Sequence, residues 1–273
     1  MKVKLIIFGG SGMLGSMVYK YFSNIKYHLN VTVRNNNLLS SSNSIIFNCL
    51  KTKLNLLPID YDFAINCIGD IRHRNNLHFE EMIQLNSLWP WQLALWCQKN
   101  NIKLIHITTD CVFSGSKGKY LETDVHDDLN LYGKSKSLGE CSDLAMVLRT
   151  SIIGEELRGF SSLVSWAKSQ KGQRVDGFKT HIWNGLTTYK YAQVCQDIIE
   201  NGLFSTGIYH IFAQDDVSKF DLLTLFNKKY NLNLTINETY PQKLDRSLRS
   251  LKPLCGLLNI PTVSEMVDKI NFI

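Results

Sequence analysis

Short apolar runs alternate with longer stretches of helical periodicity through the first half of the chain. The apolar runs predict strands at residues 4–8, 30–33, 63–68, 103–108 and 145–149. Between them the pattern predicts helices at residues 13–22 and 79–99, and a third around residue 132. This alternation is typical of a parallel sheet with helices on both faces and right-handed crossovers. The predicted class is α/β, with a Rossmann-type doubly wound parallel sheet.

After residue 149 the alternation loosens, with predicted helices at 160–169, 189–201 and 218–227 and a strand at 207–212. We interpret residues 1–150 as a dinucleotide-binding Rossmann domain, to which a helix near 187–202 returns. Residues 151–186 and 203–273 then form a smaller α/β substrate-binding lobe. Such a lobe belongs over the carboxyl ends of the strands, where ligands bind in these sheets.

Composition narrows the class of protein. The 273 residues are 44% hydrophobic and 20% charged, which is ordinary for a globular protein. The first apolar run is too short for a signal peptide, and no segment approaches the length of a membrane span. Seven cysteines without C-x-x-C spacing predict reduced thiols rather than disulfides or zinc. We therefore expect a cytoplasmic protein without a membrane or metal partner.

The charge balance favours a small anionic ligand. The formal net charge is +6, but no block of lysine and arginine is interleaved with aromatic residues, as nucleic-acid binding would favour. The histidines show no arrangement suited to metal ligation. We expect no nucleic-acid partner and no metal site.

A glycine-rich turn follows the first predicted strand and opens the first predicted helix. Its sequence is Gly9-Gly10-Ser11-Gly12-Met13-Leu14-Gly15. Glycines at 9, 12 and 15 let the backbone turn tightly and approach a pyrophosphate, while the helix N-terminus supplies N–H donors. The alternative is a merely flexible turn, but its place between a strand and a helix favours a dinucleotide cofactor.

The end of the second predicted strand indicates which dinucleotide binds. An acidic residue there would bind the ribose hydroxyl of NAD. This strand ends in Arg34, and the next acidic residue is Asp60. Because a guanidinium pairs well with a phosphate, Arg34 favours NADPH/NADP+. The alternative is that Arg34 is a solvated charge at a strand end.

The stretch Tyr132-Gly133-Lys134-Ser135-Lys136 carries candidate chemistry. On a helix, Tyr132 and Lys136 share a face, so the ammonium is expected to lower the phenol pKa. A phenol tuned in this way can protonate a carbonyl oxygen. The alternative is an exposed helix with a solvated lysine.

Three blocks together resemble the extended short-chain dehydrogenase/reductase superfamily, and within it the dTDP-4-dehydrorhamnose reductase family. The resemblance covers most of the chain and is weakest in the last third. It rests on the glycine turn, on the strand that runs into Thr108-Thr109-Asp110-Cys111-Val112-Phe113-Ser114-Gly115, and on the Tyr132 block. The middle block is much more specific than Tyr-x-x-x-Lys alone.

The resemblance implies a catalytic set of Thr109, Tyr132 and Lys136. Thr109 would hydrogen-bond the substrate carbonyl, Tyr132 would protonate its oxygen, and Lys136 would tune Tyr132 and hold the nicotinamide ribose. The implied substrate is a nucleotide-diphosphate sugar bearing a 4-keto-6-deoxy group, and homodimers are common in similar enzymes.

The motifs of the chain and the resemblance together indicate two sets of binding residues. Those for the cofactor are Gly9, Ser11, Gly12, Met13, Leu14, Gly15, Arg34, Cys67, Ile68, Gly69, Asn86, Thr108, Tyr132, Lys136 and Ile152. Those for the substrate are Cys111, Phe113, His181, Trp183 and Arg246, with Arg72, Arg74 and Arg249 as further cations. Asn86 is alternatively a polar group beside a kinked helix.

Cys111 departs from the plain reductases, which typically carry tyrosine there. In similar enzymes that both epimerise and reduce, a cysteine lies two residues past the catalytic Ser/Thr, as Cys111 does from Thr109. A thiolate there can remove the acidified proton beside the ketone. Cys111 is therefore a candidate fourth catalytic residue, and the alternative is a small space-filling side chain.

The leading interpretation is NADPH-dependent reduction of a nucleotide-linked 4-keto-6-deoxy sugar for a surface-polysaccharide precursor. One alternative is a bifunctional 3-epimerase/4-reductase that uses Cys111 on a UDP-, dTDP- or GDP-linked sugar. Another is a non-catalytic NADP-binding regulatory subunit. A third, an NAD-linked epimerase or dehydratase, is disfavoured by Arg34.

Overall fold

The computed structural model describes residues 2–35, 42–70, 79–157 and 162–270. The strands in these ranges are β1 Lys4–Phe8, β2 His28–Val33, β3 Ser44–Ile46, β4 Phe63–Asn66, β5 Lys103–Thr108, β6 Met146–Arg149, β7 Ile152–Ile153, β8 Arg174–Phe178, β9 His181–Trp183, β10 Leu186–Thr187, β11 Gly207–His210, β12 Val217–Ser218, β13 Thr235–Thr239 and β14 Leu244–Asp245. The helices are α1 Met13–Ser23, α2 Phe79–Ile83, α3 Trp89–Lys99, α4 Leu131–Leu138, α5 Leu163–Ser169, α6 Thr188–Glu200, α7 Lys219–Tyr230, α8 Leu254–Leu257 and α9 Val263–Asp268.

Seven of the strands form one parallel sheet in the order β11-β6-β5-β4-β1-β2-β3. This confirms the predicted Rossmann-type doubly wound sheet. The strand order reverses between β1 and β4. The connections that leave the carboxyl ends of those two strands therefore run toward opposite faces of the sheet, and ligands bind in the crevice between such connections.

The sheet is covered on both faces because alternate residues of each strand point to opposite sides. Leu5 and Ile7 of β1 pack in the apolar cluster that includes α1 and α6. Ile6 and Phe8 pack in a second cluster with α3 residues such as Trp96. A strand that is buried on both faces has a nearly continuous apolar sequence, as residues 4–8 have.

The smaller lobe is built from short sheets with the orders β12-β9-β14 and β13-β8. Its predicted boundary needs one correction, because β11 was assigned to the lobe. β11 instead pairs in parallel with β6 and forms an edge of the main sheet. The predicted returning helix is α6, which packs against α1. No helix within the described residues has both the length and the apolar character to cross a membrane.

The long helix predicted at 79–99 is present but interrupted. A π-helical turn, Gln84–Leu88, joins α2 to α3, and Pro90 lies in the first turn of α3. Pro90 has no N–H to donate, and it directly follows the π-helical turn, where the regular α-helical hydrogen bonds are already interrupted. π turns recur at functional sites, and this one carries Asn86.

Candidate active site

The glycine turn is hydrogen-bonded to β2 and leads directly into α1. Gly9 has a φ of 90°, and its N–H donates to Thr32 Oγ1 at 3.1 Å. A Cβ added to Gly15 would lie 2.1 Å from the Gly9 carbonyl oxygen, so only glycine permits this approach. α1 begins after Gly12 with no side-chain cap and no acidic residue in its first turn. These N–H donors are suited to an anion.

One cavity, the strand-end cavity, lies beyond the turn. It has a volume of about 500 Å³, and its walls include Gly9, Ser11, Arg34 and Lys51. Arg34 and Lys51 are both exposed cations, which suits a phosphate group. Sequence reasoning missed Lys51, because it lies in an irregular segment with no motif around it.

A second cavity, the tyrosine cavity, has a volume of about 640 Å³ and adjoins the first. The two share Gly12 and residues 67–70 as common walls, so they form one trough across the carboxyl ends of β1 and β4. Predicted site residues that line the tyrosine cavity are Gly12, Met13, Leu14, Cys67, Ile68, Gly69, Thr108, Thr109, Cys111, Tyr132, Lys136, Ile152 and Arg246.

Tyr132 and Lys136 are presented by α4. Asn130 caps the helix by accepting a hydrogen bond from the Gly133 N–H at 2.9 Å. A Cβ on Gly133 would lie 2.3 Å from the Cys111 carbonyl oxygen, so glycine brings α4 against the Thr109–Cys111 turn. Lys136 is buried, and its Nζ donates to the Ile107 carbonyl oxygen at 3.1 Å. Burial lowers the pKa of Lys136 to about 8.

The sequence predicted that Lys136 lowers the pKa of the Tyr132 phenol, but the surroundings of this phenol raise its pKa. Burial raises this pKa above its ordinary value, the Cys111 and Asp110 side chains raise it further, and a hydrogen bond with Thr109 opposes them. The Lys136 ammonium instead donates to the Ile107 carbonyl. The phenol therefore stays protonated at neutral pH, as a proton donor requires.

Thr109 caps the short 3₁₀ turn Asp110–Val112 and lies beside Tyr132. Its Oγ1 accepts from the Cys111 N–H at 3.1 Å and is 3.1 Å from Asp110 Oδ1. Burial, followed by the Asp110 charge, raises the pKa of the Cys111 thiol to about 12. The predicted role of Cys111 as a thiolate base is therefore not supported, because the thiol stays protonated at neutral pH.

Two residues that were predicted to bind the cofactor, Thr108 and Asn86, differ in whether they line a cavity. Thr108 lines the tyrosine cavity, and its buried Oγ1 is among the described side-chain atoms that lack a hydrogen-bond partner. Asn86 is fully buried and lines neither cavity. It bonds the Asp70 backbone and donates to Ser135 Oγ at 3.1 Å. Asn86 thus ties the loop after β4 to α4 rather than contacting a ligand directly.

Arg246 is the predicted substrate cation that reaches the tyrosine cavity. Its Nη2 donates to Asp128 Oδ2 at 2.7 Å and its Nε to the Phe113 carbonyl at 2.7 Å. Phe113 itself was predicted to contact substrate, and this is wrong for its side chain. The ring is fully buried and stacks on Tyr120 at a centroid distance of 4.2 Å, away from the cavity.

Other predicted substrate residues lie outside the tyrosine cavity. His181 and Trp183 are on β9, which pairs with β14 just before Arg246, but neither side chain lines the cavity. The Trp183 ring is buried, with the Lys219 ammonium 5.7 Å from its centroid. Arg249 pairs with Asp216. Arg72 and Arg74 lie outside the described residues.

A buried ionic cluster that the sequence did not predict lies around Arg149. Arg149, at the end of β6, is fully buried and bonds both oxygens of Glu140, at 3.0 and 2.6 Å. Its guanidinium also bonds the Nε2 atoms of His126 and His210, each at 2.7 Å, and lies 5.1 Å from the centroid of the Phe113 ring. Because the guanidinium only donates, both histidines accept at Nε2 and are neutral. This Arg149 cluster anchors the segment that follows α4.

Residues 3–251 match the family described as the RmlD substrate binding domain. The dTDP-4-dehydrorhamnose reductase of Aggregatibacter actinomycetemcomitans is 34% identical over 133 residues, which are 45% of this chain and 45% of that protein. The chain thus spans less than half of that relative. The methionine adenosyltransferase 2 subunit beta of Bos taurus is 26% identical over 84% of this chain and 72% of its own length.

Among solved structures, the dTDP-4-dehydrorhamnose reductase of Bacillus anthracis in complex with NADP has the same fold. It superposes with a TM-score of 0.78 at 19% identity, over 100% of this chain and 99% of that chain.

Proposed function

The chain belongs to the RmlD substrate binding domain family, and from that premise we propose that it is an NADPH-dependent reductase of a nucleotide-linked 4-keto-6-deoxy sugar. Its product would be a precursor of a surface polysaccharide. The observation that carries the proposal is the convergence of Thr109, Tyr132 and Lys136 on the tyrosine cavity, next to the glycine turn.

The residues of the trough fit a phosphorylated dinucleotide. The uncapped start of α1 and the close approach at Gly15 suit a pyrophosphate, and Arg34 with Lys51 suits a further phosphate. The unpartnered Thr108 hydroxyl offers a polar contact deep in the tyrosine cavity. When bound, NADPH supplies the hydride. The Bacillus anthracis reductase is in complex with NADP, which supports this choice of dinucleotide.

The side chains of the tyrosine cavity then supply protons and charge. Hydride addition builds negative charge on the ketone oxygen, and hydroxyl donors aimed at that atom stabilise the transition state. Tyr132 is protonated at neutral pH and transfers its proton to this oxygen, while Thr109 donates a hydrogen bond. Lys136, with a pKa of about 8, is mostly cationic at neutral pH and favours the phenolate that forms.

The substrate side is suited to a nucleotide-diphosphate sugar. Arg246 places a guanidinium in the wall of the tyrosine cavity. The Aggregatibacter relative is named for its action on a dTDP-linked sugar, which makes dTDP-4-dehydrorhamnose the first substrate to test. Epimerisation by Cys111 is less favoured, because its thiol has a pKa of about 12.

A second candidate is a non-catalytic NADP-binding subunit. It is favoured by the alignment over 84% of this chain with a methionine adenosyltransferase subunit. The complete Thr109, Tyr132 and Lys136 set favours catalysis instead, since a binding module has no need of a buried lysine behind a phenol. Turnover of NADPH with a 4-keto sugar separates the two.

The cellular setting follows from the same proposal. All seven cysteines are free, which suits a reducing cytoplasm. A homodimer is the expected assembly, and sedimentation equilibrium of the purified protein tests it.

Replacing Tyr132 with phenylalanine tests the function. We expect NADPH oxidation with dTDP-4-dehydrorhamnose to fall by about 10²–10⁴-fold, the usual contribution of a general acid. NADPH binding, followed by fluorescence, should be retained. Tyr240→Phe is the matched control, since that phenol is exposed and donates to the side chain of Glu238. Full turnover by Tyr132→Phe would remove the catalytic assignment, and NADPH binding without turnover by the wild type would favour the subunit.

A further inference from the structure

Lys219 is a partly buried lysine in the smaller lobe, and no step of the proposed reduction has so far used it. It is the first residue of α7, which Ser218 caps by accepting from the Asp221 N–H at 3.1 Å. The Lys219 ammonium lies 5.7 Å from the centroid of the buried Trp183 ring. The side chain is therefore directed inward onto β9 rather than into open solvent.

The three-stranded sheet β12-β9-β14 brings Lys219 close to Arg246. β12 and β14 pair with the two sides of β9, and each cation directly follows one of these outer strands. His181 lies on β9 between them. Burial lowers the pKa of His181, and the charges of Lys219 and Arg246 lower it further. Since Arg246 lines the tyrosine cavity, this arrangement places Lys219 at the margin of that cavity.

The two cations differ in how their charges are balanced. Arg246 is paired with Asp128, whose Oδ2 accepts from Nη2 at 2.7 Å. The Lys219 ammonium forms neither an ion pair nor a hydrogen bond with any residue that the structure describes. Burial lowers the pKa of Lys219, whereas the neighbouring Asp110 and Cys111 side chains raise it. A partly buried ammonium without a partner is unfavourable, and an anionic ligand at this position would relieve it.

We propose that Lys219 is a substrate-binding residue whose ammonium donates to the diphosphate group of the nucleotide-linked sugar. An ammonium is a compact charge with three donors, which suits phosphate oxygens. Lys219 is a neighbour of Asp110, which contacts Thr109, so it lies toward the sugar end of such a substrate. The Trp183 ring covers one side of the ammonium, and partial exclusion of water strengthens its contact with an anion. This inference rests on the proposed reductase function.

Lys219→Gln tests the role of the charge, because glutamine stays polar and is compatible with the start of a helix. We expect the affinity for a nucleoside diphosphate to fall about 10–100-fold, the contribution of a hydrogen bond between charged groups. Calorimetric titration with dTDP, UDP and GDP measures it. Binding of the matching free nucleoside, followed by ligand-observed NMR, should not change. Unchanged affinity for the diphosphate would overturn the inference, as would an equal loss for the nucleoside.

Lys190→Gln is the matched control. Lys190 also lies in the first turn of a helix, α6, and is partly buried, with a pKa that burial lowers. It lines neither the tyrosine cavity nor the strand-end cavity. Its replacement should leave nucleoside diphosphate binding unchanged. A loss as large as that of Lys219→Gln would show that loss of any partly buried lysine weakens binding, and would overturn the inference.

Chemical labelling of the wild type gives a readout that does not depend on whether a variant folds. An N-hydroxysuccinimide ester acetylates lysines, and mass spectrometry follows the rate at each position. Saturating nucleoside diphosphate should slow the acetylation of Lys219 several-fold and leave that of Lys190 unchanged. Equal rates at Lys219 with and without the diphosphate would overturn the inference.

The outcomes separate the role of Lys219 from the proposed reductase function. A wild type that binds a nucleoside diphosphate but never oxidises NADPH with a 4-keto sugar would defeat the function and leave Lys219 in a nucleotide site. An active wild type whose diphosphate affinity does not depend on Lys219 would defeat only the role of Lys219. A wild type that binds none of the three diphosphates would overturn the inference as well.

Discussion

The two ends of the trough are built in different ways. The cofactor end is local in sequence, since Gly9, Gly12 and Gly15 form one turn and their contacts are mostly backbone. The substrate end joins residues far apart in the chain, because Arg246 bonds Phe113 and Asp128 across more than a hundred positions. A local turn can be recognised from its spacing, whereas a side-chain network cannot.

The two ends of the trough also differ in the interactions that stabilise them. At the cofactor end, the close packing of the backbone depends on the absence of a side chain, as at Gly15. Next to the substrate end, stability depends on the paired, buried charges of the Arg149 cluster, which lines neither cavity but packs on the Phe113 ring. Removing one partner from such a cluster leaves an uncompensated charge, which costs much more than an exposed pair contributes. Substitutions at the two ends should therefore differ in their effect on stability.

Arg149→Met should have the largest effect. It leaves the Glu140 carboxylate buried without its main partner, so we expect a loss of about 3–5 kcal/mol in the free energy of unfolding. Urea denaturation followed by circular dichroism measures it. Arg249→Met is the matched control, because the Arg249–Asp216 pair is partly exposed and contributes about 1 kcal/mol or less. Equal losses would show that the Arg149 cluster is not what stabilises this end.

The sequence predicted β1, β2, β4, β5 and β6 of the main sheet because each is a short apolar run followed by a turn or helix signal, but it did not predict the short strand β3. The predicted catalytic residues Thr109, Tyr132 and Lys136 line one cavity, and the sequence pointed to them because each lies in a contiguous motif. The sequence did not predict the Arg149 cluster, since nothing local marks Arg149 as fully buried. The sequence assigned β11 to the lobe because an edge strand of the main sheet and a strand of a small lobe have the same apolar pattern. Phe113 was misplaced because motif membership does not fix which way a side chain points.

Mild acid should weaken the same cluster by a few kcal/mol at most. Burial lowers the pKa of His210 to about 4 and also lowers that of His126, whereas unfolded histidine titrates near 6.5. The unfolded state therefore binds more protons between about pH 6.5 and 4. Stability is fully present above that window and falls as pH decreases through it. The unfolding midpoint in urea should fall steadily from pH 7 to pH 4.5.

His210→Gln separates this effect from other titrations. The variant should be less stable at pH 7 but should have a flatter dependence of stability on pH. His106, whose pKa is also lowered by burial, contributes the same slope in both proteins. A variant slope as steep as that of the wild type would assign the acid sensitivity to groups outside the Arg149 cluster.

Gly133→Ala tests the junction between the two ends, where α4 meets the Thr109–Cys111 turn. The new Cβ would lie 2.3 Å from the Cys111 carbonyl oxygen, and one of the two backbones must move. Overpacking of this kind costs about 1–3 kcal/mol, and displacement of Tyr132 from Thr109 should lower kcat more than it raises KM for NADPH. Gly256→Ala, which meets nothing within 4 Å, should lower neither stability nor kcat.

Arg34→Ala addresses the cofactor end alone and should have the smallest effect. Removing one exposed guanidinium from the strand-end cavity should weaken NADPH binding about tenfold, as expected from losing one charge-assisted hydrogen bond of about 1.5 kcal/mol, with little change for NADH. Fluorescence titration with each dinucleotide measures both constants without turnover. Lys53→Ala is the matched control, since Lys53 is exposed nearby but does not line the cavity. Equal weakening of both dinucleotides would remove Arg34 from phosphate recognition, and that role would then fall to Lys51. Unfolding of Arg34→Ala in urea should match the wild type, because the cofactor end depends on its backbone rather than on buried charge.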